Sequence, residues 1–212
     1  MKRAVHPIEA ESYRILRAEA DTTGLPRHTR DVVERIIHTT ADPGWRDDLV
    51  TDEGALVAGA AALAGGAALV TDVTMVAAGV TAYPATCLVA APEAADLART
   101  AGPTDPADPT RETGLTRSAA GIRLAAGRHP DGAVWVIGNA PTALAELIRL
   151  AEAGTVRPAL VIGLPVGYVG AAESKAALRR TALPQLSNRS ARGGAAVAAA
   201  AVNALLYGDP LA

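Results

Sequence analysis

The sequence predicts an α/β fold, a three-layer α/β/α arrangement around a mostly parallel sheet of about five strands. Short apolar runs alternate along the chain with longer segments of helical composition, which is the order of a parallel sheet with crossover helices on both faces. Half of the residues are hydrophobic and none is Phe, so the core is expected to consist mainly of Ala, Val, Leu and Ile. The length of 212 residues suits a single domain over residues 1–212 with a core of its own.

The first part of the chain is predicted to be helical. Pro7 fits the first turn of a helix that runs to about residue 21. Thr29 is the expected N-cap of a second helix, which continues to about residue 40. A loop over residues 42–52 separates this helix from an alanine-rich helix that ends near the glycine pair at 65–66.

The rest of the chain alternates between strands and helices. Strand composition occurs at residues 67–71, 86–90, 134–137, 159–162 and 184–187. Helices are expected at residues 92–100, 114–127, 141–153, 171–175 and 194–206, with a short turn or helix at 75–78. The proline-rich stretch GPTDPADP at residues 102–109 can sustain neither a helix nor a central strand, which predicts a surface loop.

One strand-to-helix connection is rich in glycine. In LVIGLPVGYVGAAESK, residues 160–175, an apolar strand ends at Gly163 and helical composition resumes after Gly170. Such connections lie at the carboxyl edge of an open α/β sheet, where free N–H groups of the helix can hold an anionic ligand. Loop geometry and charge therefore make the backbone amides of Gly167–Ala172 and the side chain of Lys175 candidate ligand contacts. A tight connection without a ligand explains the same residues equally well.

Composition and missing motifs argue against several functional classes. The net charge of −2 argues against a nucleic-acid partner or an anionic membrane. The sequence contains no GxGxxG, GxxxxGK[ST], GxSxG or HExxH pattern, so neither a cofactor nor a metal is expected. The apolar run at residues 55–70 is too short and too often interrupted by glycine to span a membrane. With no leader-like apolar segment and with Cys87 as its single cysteine, the chain is expected to be cytoplasmic.

His38 is the histidine best placed for acid–base chemistry. The apolar stripe of its predicted helix consists of Val32, Val33, Ile36 and Ile37. At about 100° per residue, His38 falls roughly opposite the centre of this stripe and is not expected in the helix's own core. Imidazole can give and take a proton near neutral pH. The alternative is a solvated histidine paired with Glu34.

Several motifs occur together in the order of one known family. They are SYRILRAEAD, RIIHTT, TDVTMVAAGVT, TRSAAG, GNAPTAL, LPVGYVGAAESK and GGAAVAAAAVNAL. The sequence resembles the precorrin-8X methylmutase family of cobalamin biosynthesis, also known in its cobalt-precorrin-8 form, over nearly the whole chain. The resemblance implies an isomerase that moves a methyl group from C-11 to C-12 of a corrin macrocycle by a sigmatropic shift, without a cofactor or a metal.

The resemblance also implies roles for individual residues. The histidine of the family's RIIH-type motif is its acid–base residue, which gives His38 the role of proton donor and acceptor. Arg117 in TRSA and Ser12 match family segments that contact the substrate. Arg35, one turn before His38, is a candidate partner for a substrate carboxylate. Because the family is homodimeric with its site near the subunit interface, a homodimer that binds a corrinoid substrate is expected.

One segment departs from the family pattern. Where the family usually has GR(K/L)GGS, this chain has SARGGA, so Ala191 replaces the motif's arginine and Ala195 replaces its serine. Arg192 is the candidate to reach the same substrate carboxylate. After the histidine motif, Ala41 stands where the family usually has Gly. The changes leave a non-catalytic corrinoid carrier as an alternative, whereas the retained His38 favours an enzyme.

Overall fold

The structure is a computed structural model that describes residues 5–101 and 114–211. The helices in these ranges are α1 (Pro7–Glu19), α2 (Arg27–Thr40), α3 (Trp45–Asp48), α4 (Glu53–Ala64), α5 (Thr74–Gly79), α6 (Pro92–Thr100), α7 (Arg117–Arg128), α8 (Pro141–Glu152), α9 (Ala171–Arg180) and α10 (Ala195–Tyr207). The strands are β1 (Leu49–Thr51), β2 (Leu69–Thr71), β3 (Ala85–Cys87), β4 (Val134–Ile137), β5 (Leu160–Gly163) and β6 (Gln185–Asn188). The loop predicted at 102–109 lies outside the described residues.

The strands form one sheet in the order β1-β6-β5-β4-β2-β3. Every pairing is parallel except that of β1 with β6, which confirms the predicted α/β class with a mostly parallel sheet. The chain first moves outward from β2 to β3, and then returns to add β4, β5 and β6 on the other side of β2. The direction of winding therefore reverses between β2 and β4.

The predicted strand number was one too low in the described residues. All five predicted strands are present as β2 to β6, and β1 is added from the segment 42–52 that was expected to be a loop. Its three residues pair antiparallel with β6, and Thr51 Oγ1 donates to the carbonyl of Gln185 at 2.9 Å. Three residues are too few to show the alternation by which a strand is recognised from sequence.

Helices cover both faces of the sheet and give the predicted three layers. One hydrophobic cluster joins α1, α2, α4, α5 and α10 to the first face, and a second joins α7, α8 and α9 to the other. Strand β4 contributes to both, because Val134 and Val136 belong to the first cluster and Trp135 and Ile137 to the second. All four are fully buried, as expected of a central parallel strand.

The start of α2 corrects one sequence prediction. The helix begins at Arg27, so Thr29 is not its N-cap. Instead, the carboxylate of Glu53 from α4 accepts the backbone N–H groups of His28 at 2.8 Å and Thr29 at 2.9 Å. These donors have no partner within the helix, and a carboxylate also suits the positive end of the helix dipole. A cap supplied from 24 residues away cannot be recognised from the local sequence.

Candidate active site

A cavity of about 710 Å³ opens between α1 and the carboxyl-terminal end of α2. Its apolar wall includes Pro7, Ile8, Ile15, Leu16, Ile37 and Pro43. Ser12 and His38 supply polar atoms to the same cavity, and Glu11 and Glu19 lie on its exposed side. A mostly apolar cavity with a few polar groups is typical of a small-molecule site.

His38 lies between two residues of α1. Its Nδ1 atom is 2.7 Å from the Ser12 hydroxyl oxygen, and its ring stacks on Tyr13 with ring centroids 5.0 Å apart. A hydroxyl group can donate to or accept from an imidazole nitrogen, so this contact holds the ring in place in each protonation state. The hydrogen bond uses Nδ1, so a contact of the ring with a ligand would fall to Nε2.

The alternative pairing of His38 with Glu34 is wrong. Glu34 is fully buried and accepts hydrogen bonds from Arg17 at 2.7 Å and from the Thr22 hydroxyl at 2.6 Å. His38 is half-buried and faces α1. Burial lowers the pKa of His38, and the nearby charge of Arg35 lowers it further.

Arg35 lies near His38 and has a partner within the protein. Its Nη1 atom donates to Glu9 Oε1 at 3.0 Å, and only 11% of each side chain is exposed. Its guanidinium carbon also lies 6.0 Å from the centre of the Tyr207 ring. A ligand carboxylate that binds Arg35 must therefore compete with the carboxylate of Glu9.

Arg117 lies apart from the cavity. It is the exposed first residue of α7, which packs on the face of the sheet opposite to α1 and α2. The preceding Thr116 caps the helix and also contacts the Thr142 hydroxyl at 2.8 Å. Within one chain, Arg117 and His38 therefore belong to different layers of the fold.

The glycine-rich loop presents apolar side chains to solvent. Tyr168 is fully exposed and Val169 is 67% exposed. Gly167 and Gly170 have positive φ angles of 141° and 77°, which is the backbone freedom that glycine was expected to supply here. The N–H of Gly167 is not free, since it donates to the carbonyl of Ala191 at 3.2 Å.

Lys175 points into the protein and not toward this exposed loop. The residue has no exposed surface, and its Nζ atom donates to Asn188 Oδ1 at 2.7 Å and to the carbonyl of Arg192 at 2.6 Å. Burial lowers the pKa of its ammonium group to about 8. The ammonium group is therefore directed at protein oxygens and is not placed to contact a ligand at the loop.

Asp72 is a structural residue that the sequence interpretation missed. It follows β2, is 99% buried, and its carboxylate accepts the backbone N–H groups of Gly138, Asn139 and Ala140 at 2.8–3.0 Å. Ligands of open α/β sheets usually bind at the point where the winding reverses, with an anion at a helix N-terminus. Here Asp72 occupies that position at the start of α8. The position of Asp72 directly after the strand, in TDVT, is the sequence feature that could have indicated this structural role.

Within residues 5–101 and 114–211, no group of three or more His, Cys, Asp and Glu side chains is placed to hold a metal ion. None of the helices in the same ranges combines the length and the apolar composition that a membrane crossing needs.

Comparison with known proteins decides the family. A family model described as precorrin-8X methylmutase matches residues 7–208. The chain belongs to the precorrin-8X methylmutase family. Among its relatives, a precorrin-8X methylmutase of Pseudomonas aeruginosa is 43% identical over 93% of both chains. A cobalt-precorrin-8 methylmutase of Methanocaldococcus jannaschii is 36% identical over 82% of this chain and 77% of that protein.

Solved structures agree with this assignment to the methylmutase family. The structure of precorrin-8x methyl mutase from Thermus thermophilus has a TM-score of 0.81 and 33% identity, and covers 94% of this chain and 93% of that one. The resemblance found in the sequence motifs is thus confirmed. Membership of the methylmutase family supports an isomerase role in cobalamin biosynthesis.

In this chain, α2, the helix that carries His38, ends in a strained conformation. Ala41 follows α2 with φ 51° and ψ 36°, and its N–H donates to the carbonyl of Ile37 at 2.7 Å. The left-handed conformation suits glycine at a helix C-terminus and disfavours a residue with a Cβ atom. Ala41 also lines the cavity, so the strained turn lies beside His38.

Proposed function

We propose that the protein moves a methyl group from C-11 to C-12 of precorrin-8X or cobalt-precorrin-8, giving hydrogenobyrinic acid or its cobalt form, with His38 as general acid and base. The observation that carries this proposal is the placement of His38 on the wall of a mostly apolar cavity, in a chain that belongs to the methylmutase family. Its hydrogen bond to Ser12 and its stacking on Tyr13 support the role, because an acid–base residue must be held in one orientation.

The proposed chemistry is an internal rearrangement with no net change in protons. The imidazolium of His38 donates a proton from Nε2 to the conjugated macrocycle near the migration site. The bond from the methyl group to C-11 breaks, the bond to C-12 forms, and the proton returns to His38. Proton transfer by a positioned side chain typically contributes ~10²–10⁴-fold to a rate.

The lowered pKa of His38 suits the acid step. Burial and the charge of Arg35 disfavour the imidazolium, so the protonated ring is a stronger acid than a solvated histidine. A stronger acid gives up its proton more readily to a weakly basic ring. Because the proton returns to His38, one protonated ring serves successive turnovers, but the lowered pKa reduces the fraction of the protein that carries this proton at a given pH.

The cavity suits the flat face of a macrocycle better than its carboxylate edge. The wall around His38 is mostly apolar, while Glu11 and Glu19 at its exposed side would repel substrate carboxylates. We therefore propose that the carboxylates point away from these two acids. Candidate partners are Arg35, after displacement of Glu9, and Arg117 of a second copy, because Arg117 of the same chain lies on the other face of the sheet.

We further propose that the protein acts as a homodimer in which a second copy completes the site. Ile8 is 75% exposed and Ile15 is 52% exposed, although both line the cavity. Large apolar side chains that share an open cavity favour coverage by a ligand or by another protein surface. The backbone of the Gly167–Gly170 loop remains a proposed substrate contact within this assembly.

The proposed function is tested by following visible spectra of precorrin-8X, and of its cobalt form, with the purified protein. Wild type should convert at least one of them to the corresponding hydrogenobyrinic acid. His38→Ala should lose turnover but retain product binding, because the apolar side chains of the cavity wall are unchanged. His129→Ala serves as the control, since His129 ends α7 on the other face of the sheet.

Binding by wild type without conversion would instead support a corrinoid carrier. The observation that favours this second candidate is the replacement of the motif's arginine and serine by Ala191 and Ala195. Normal turnover by His38→Ala would contradict the proposed role of the histidine, even if the protein is an isomerase.

A further inference from the structure

The segment that departs from the family pattern is held in place by a cluster of polar side chains. This cluster, which we call the edge cluster, consists of Asp42, Asp48, Asn188, Ser190 and Arg192. It lies where β6 ends, at the carboxyl edge of the parallel strands, and it joins residues about 140 positions apart in sequence. The carboxylates of Asp42 and Asp48 share the positive charge of Arg192.

Arg192 binds the chain that follows the histidine helix. Its Nη1 atom donates to the Asp42 carboxylate. Its Nη2 atom donates to the carbonyl of Gly44 at 3.2 Å and to Asp48 Oδ2 at 3.1 Å. The guanidinium carbon lies 4.6 Å from the centre of the Trp45 ring, a cation–π distance. One guanidinium group therefore fixes the whole turn 42–45, and two of its nitrogens are used in doing so.

Asp48 makes the cluster rigid from the other side. It accepts the Ser190 hydroxyl at 2.6 Å, the Ser190 N–H at 2.9 Å and the Asn188 amide at 2.9 Å. Burial alone would raise the pKa of Asp48, but these hydrogen bonds and that from Arg192 outweigh it and hold the pKa at about 2. The carboxylate therefore stays charged at neutral pH. Beneath it, Lys175 binds both Asn188 and the carbonyl of Arg192.

The edge cluster touches both parts of the candidate site. On one side, the turn that Arg192 holds includes Pro43, which lines the cavity together with His38. On the other side, the carbonyl of Ala191 accepts the N–H of Gly167 in the glycine-rich loop at 3.2 Å. Gly193 packs so closely that a Cβ atom there would lie 2.3 Å from the carbonyl oxygen of Leu164. The segment around Arg192 thus contacts both the turn that lines the cavity and the glycine-rich loop.

We propose that Arg192 is a positioning residue, which holds the turn at Pro43 against the cavity so that a ligand is oriented toward His38. This inference rests on the proposed methylmutase function and replaces the expectation that Arg192 binds a substrate carboxylate. In this role its guanidinium is occupied by Asp42, Gly44 and Asp48, and its loss moves the wall of the cavity. Small displacements of a positioning wall reduce turnover more than they reduce binding, because a misplacement of about 1 Å can cost ~10²-fold in rate.

The test compares Arg192→Met, Arg192→Lys and Asp42→Asn with wild type in steady-state conversion and in titration with the product. Arg157→Met is the matched control. Arg157 forms an exposed ion pair with Asp131 at 2.8 Å, and the two residues lie just before β5 and β4, respectively. Arg192→Met should lower kcat by about 10–100-fold and change KM and the product Kd by less than about threefold. Arg192→Lys should recover part of this loss, because lysine keeps the positive charge but lacks the planar guanidinium fork that spans Asp42, Gly44 and Asp48.

Asp42→Asn is the milder variant, and it keeps an oxygen for the Gly44 N–H while removing one charged partner of Arg192. It should lower kcat in the same direction, so the inference can be judged even if Arg192→Met folds poorly. Full kcat in either folded variant would overturn the positioning role. A weakened product Kd with unchanged kcat would show instead that Arg192 contacts the ligand. If wild type converts neither substrate, the proposed function fails and the inference fails with it.

Discussion

At His38, three neighbouring groups act on one imidazole ring. Ser12 holds Nδ1, Tyr13 covers one face of the ring, and Arg35 lowers the pKa of the ring by its charge. Glu9, which pairs with Arg35, acts in the opposite direction and raises the pKa of His38. The two members of this ion pair therefore shift the pKa of His38 in opposite directions, and burial causes the largest shift.

This arrangement predicts opposite changes in the pH dependence of two variants. If the imidazolium is the active acid, activity is lost as pH rises through the pKa of His38. Arg35→Met removes a positive charge, raises that pKa and moves the loss to higher pH. Glu9→Gln removes a negative charge, lowers the pKa and moves the loss to lower pH. The measurement is the pH profile of kcat/KM, which reports the free enzyme.

Two features keep this comparison clear. Glu11 and Glu19, the other acids of the cavity, are unchanged in both variants, and Arg157→Met controls for the loss of an arginine elsewhere. Shifts in the same direction for Arg35→Met and Glu9→Gln would contradict the proposed electrostatic role. A profile that neither variant moves would remove His38 as the titrating group.

The sequence identified His38 and Ser12 separately but did not predict their contact. The two residues are 26 positions apart on different helices, and local periodicity gives only the face of each helix. Arg35 was expected beside His38 because it lies one turn earlier, yet its pairing with Glu9 depends on how α1 packs against α2. Contacts between elements require the packing, which a single sequence does not supply.

At the scale of elements, α2 shows how a helix end can carry strain. Ala41 adopts a left-handed conformation, while the end of α8 at Ala153 has φ −75°. Both positions hold alanine, but only the first favours glycine for its backbone geometry.

Ala41→Gly is therefore expected to increase the free energy of unfolding by ~1 kcal/mol, because glycine has no Cβ penalty in this conformation. Ala153→Gly is the matched control and should have no effect or decrease stability by ~0.5–1 kcal/mol, since glycine there only adds entropy to the unfolded chain. Urea unfolding monitored by circular dichroism measures both. Equal effects at the two positions would contradict strain at Ala41.

The ends of elements were also harder to predict than their presence. All five predicted strands were found, and β2, β4 and β5 show why, because every residue in them is buried, as in Leu160–Gly163. By contrast, the start of α2 depends on Glu53 and the edge strand β1 depends on β6. Neither partner lies near in sequence, so local patterns placed Thr29 as a cap and residues 42–52 in a loop.

At the scale of the whole molecule, the layers meet closely where β4 ends. A Cβ atom added to Gly138 would lie 2.6 Å from Val76 Cγ2 of α5 and 2.8 Å from Ala198 Cβ of α10. Ala195 Cα would lie 3.2 Å away. The alanine-rich α10 can therefore approach the sheet only because both surfaces are small. Since α10 also packs against α2, this contact sets the distance of the histidine helix from the sheet.

Gly138→Ala should decrease the free energy of unfolding by ~1–3 kcal/mol, the usual cost of overpacking a buried site. Gly127→Ala, within α7, is the control because no atom lies within 4 Å of its added Cβ. It should increase stability by ~0.5–1 kcal/mol through helix propensity. Unfolding in urea distinguishes the two, and a fully stable Gly138→Ala would contradict the close contact.

The carboxylate of Asp72 also has a consequence for competition inside a cell. In many α/β proteins, the crevice where the strand order reverses is open, and nucleotides or inorganic phosphate can bind in it. In this protein an incoming phosphate would meet a carboxylate that already holds the three backbone donors at the start of α8. A phosphorylated metabolite would therefore have to displace the Asp72 carboxylate to reach these three donors, which disfavours the most common ligands of this fold at this position.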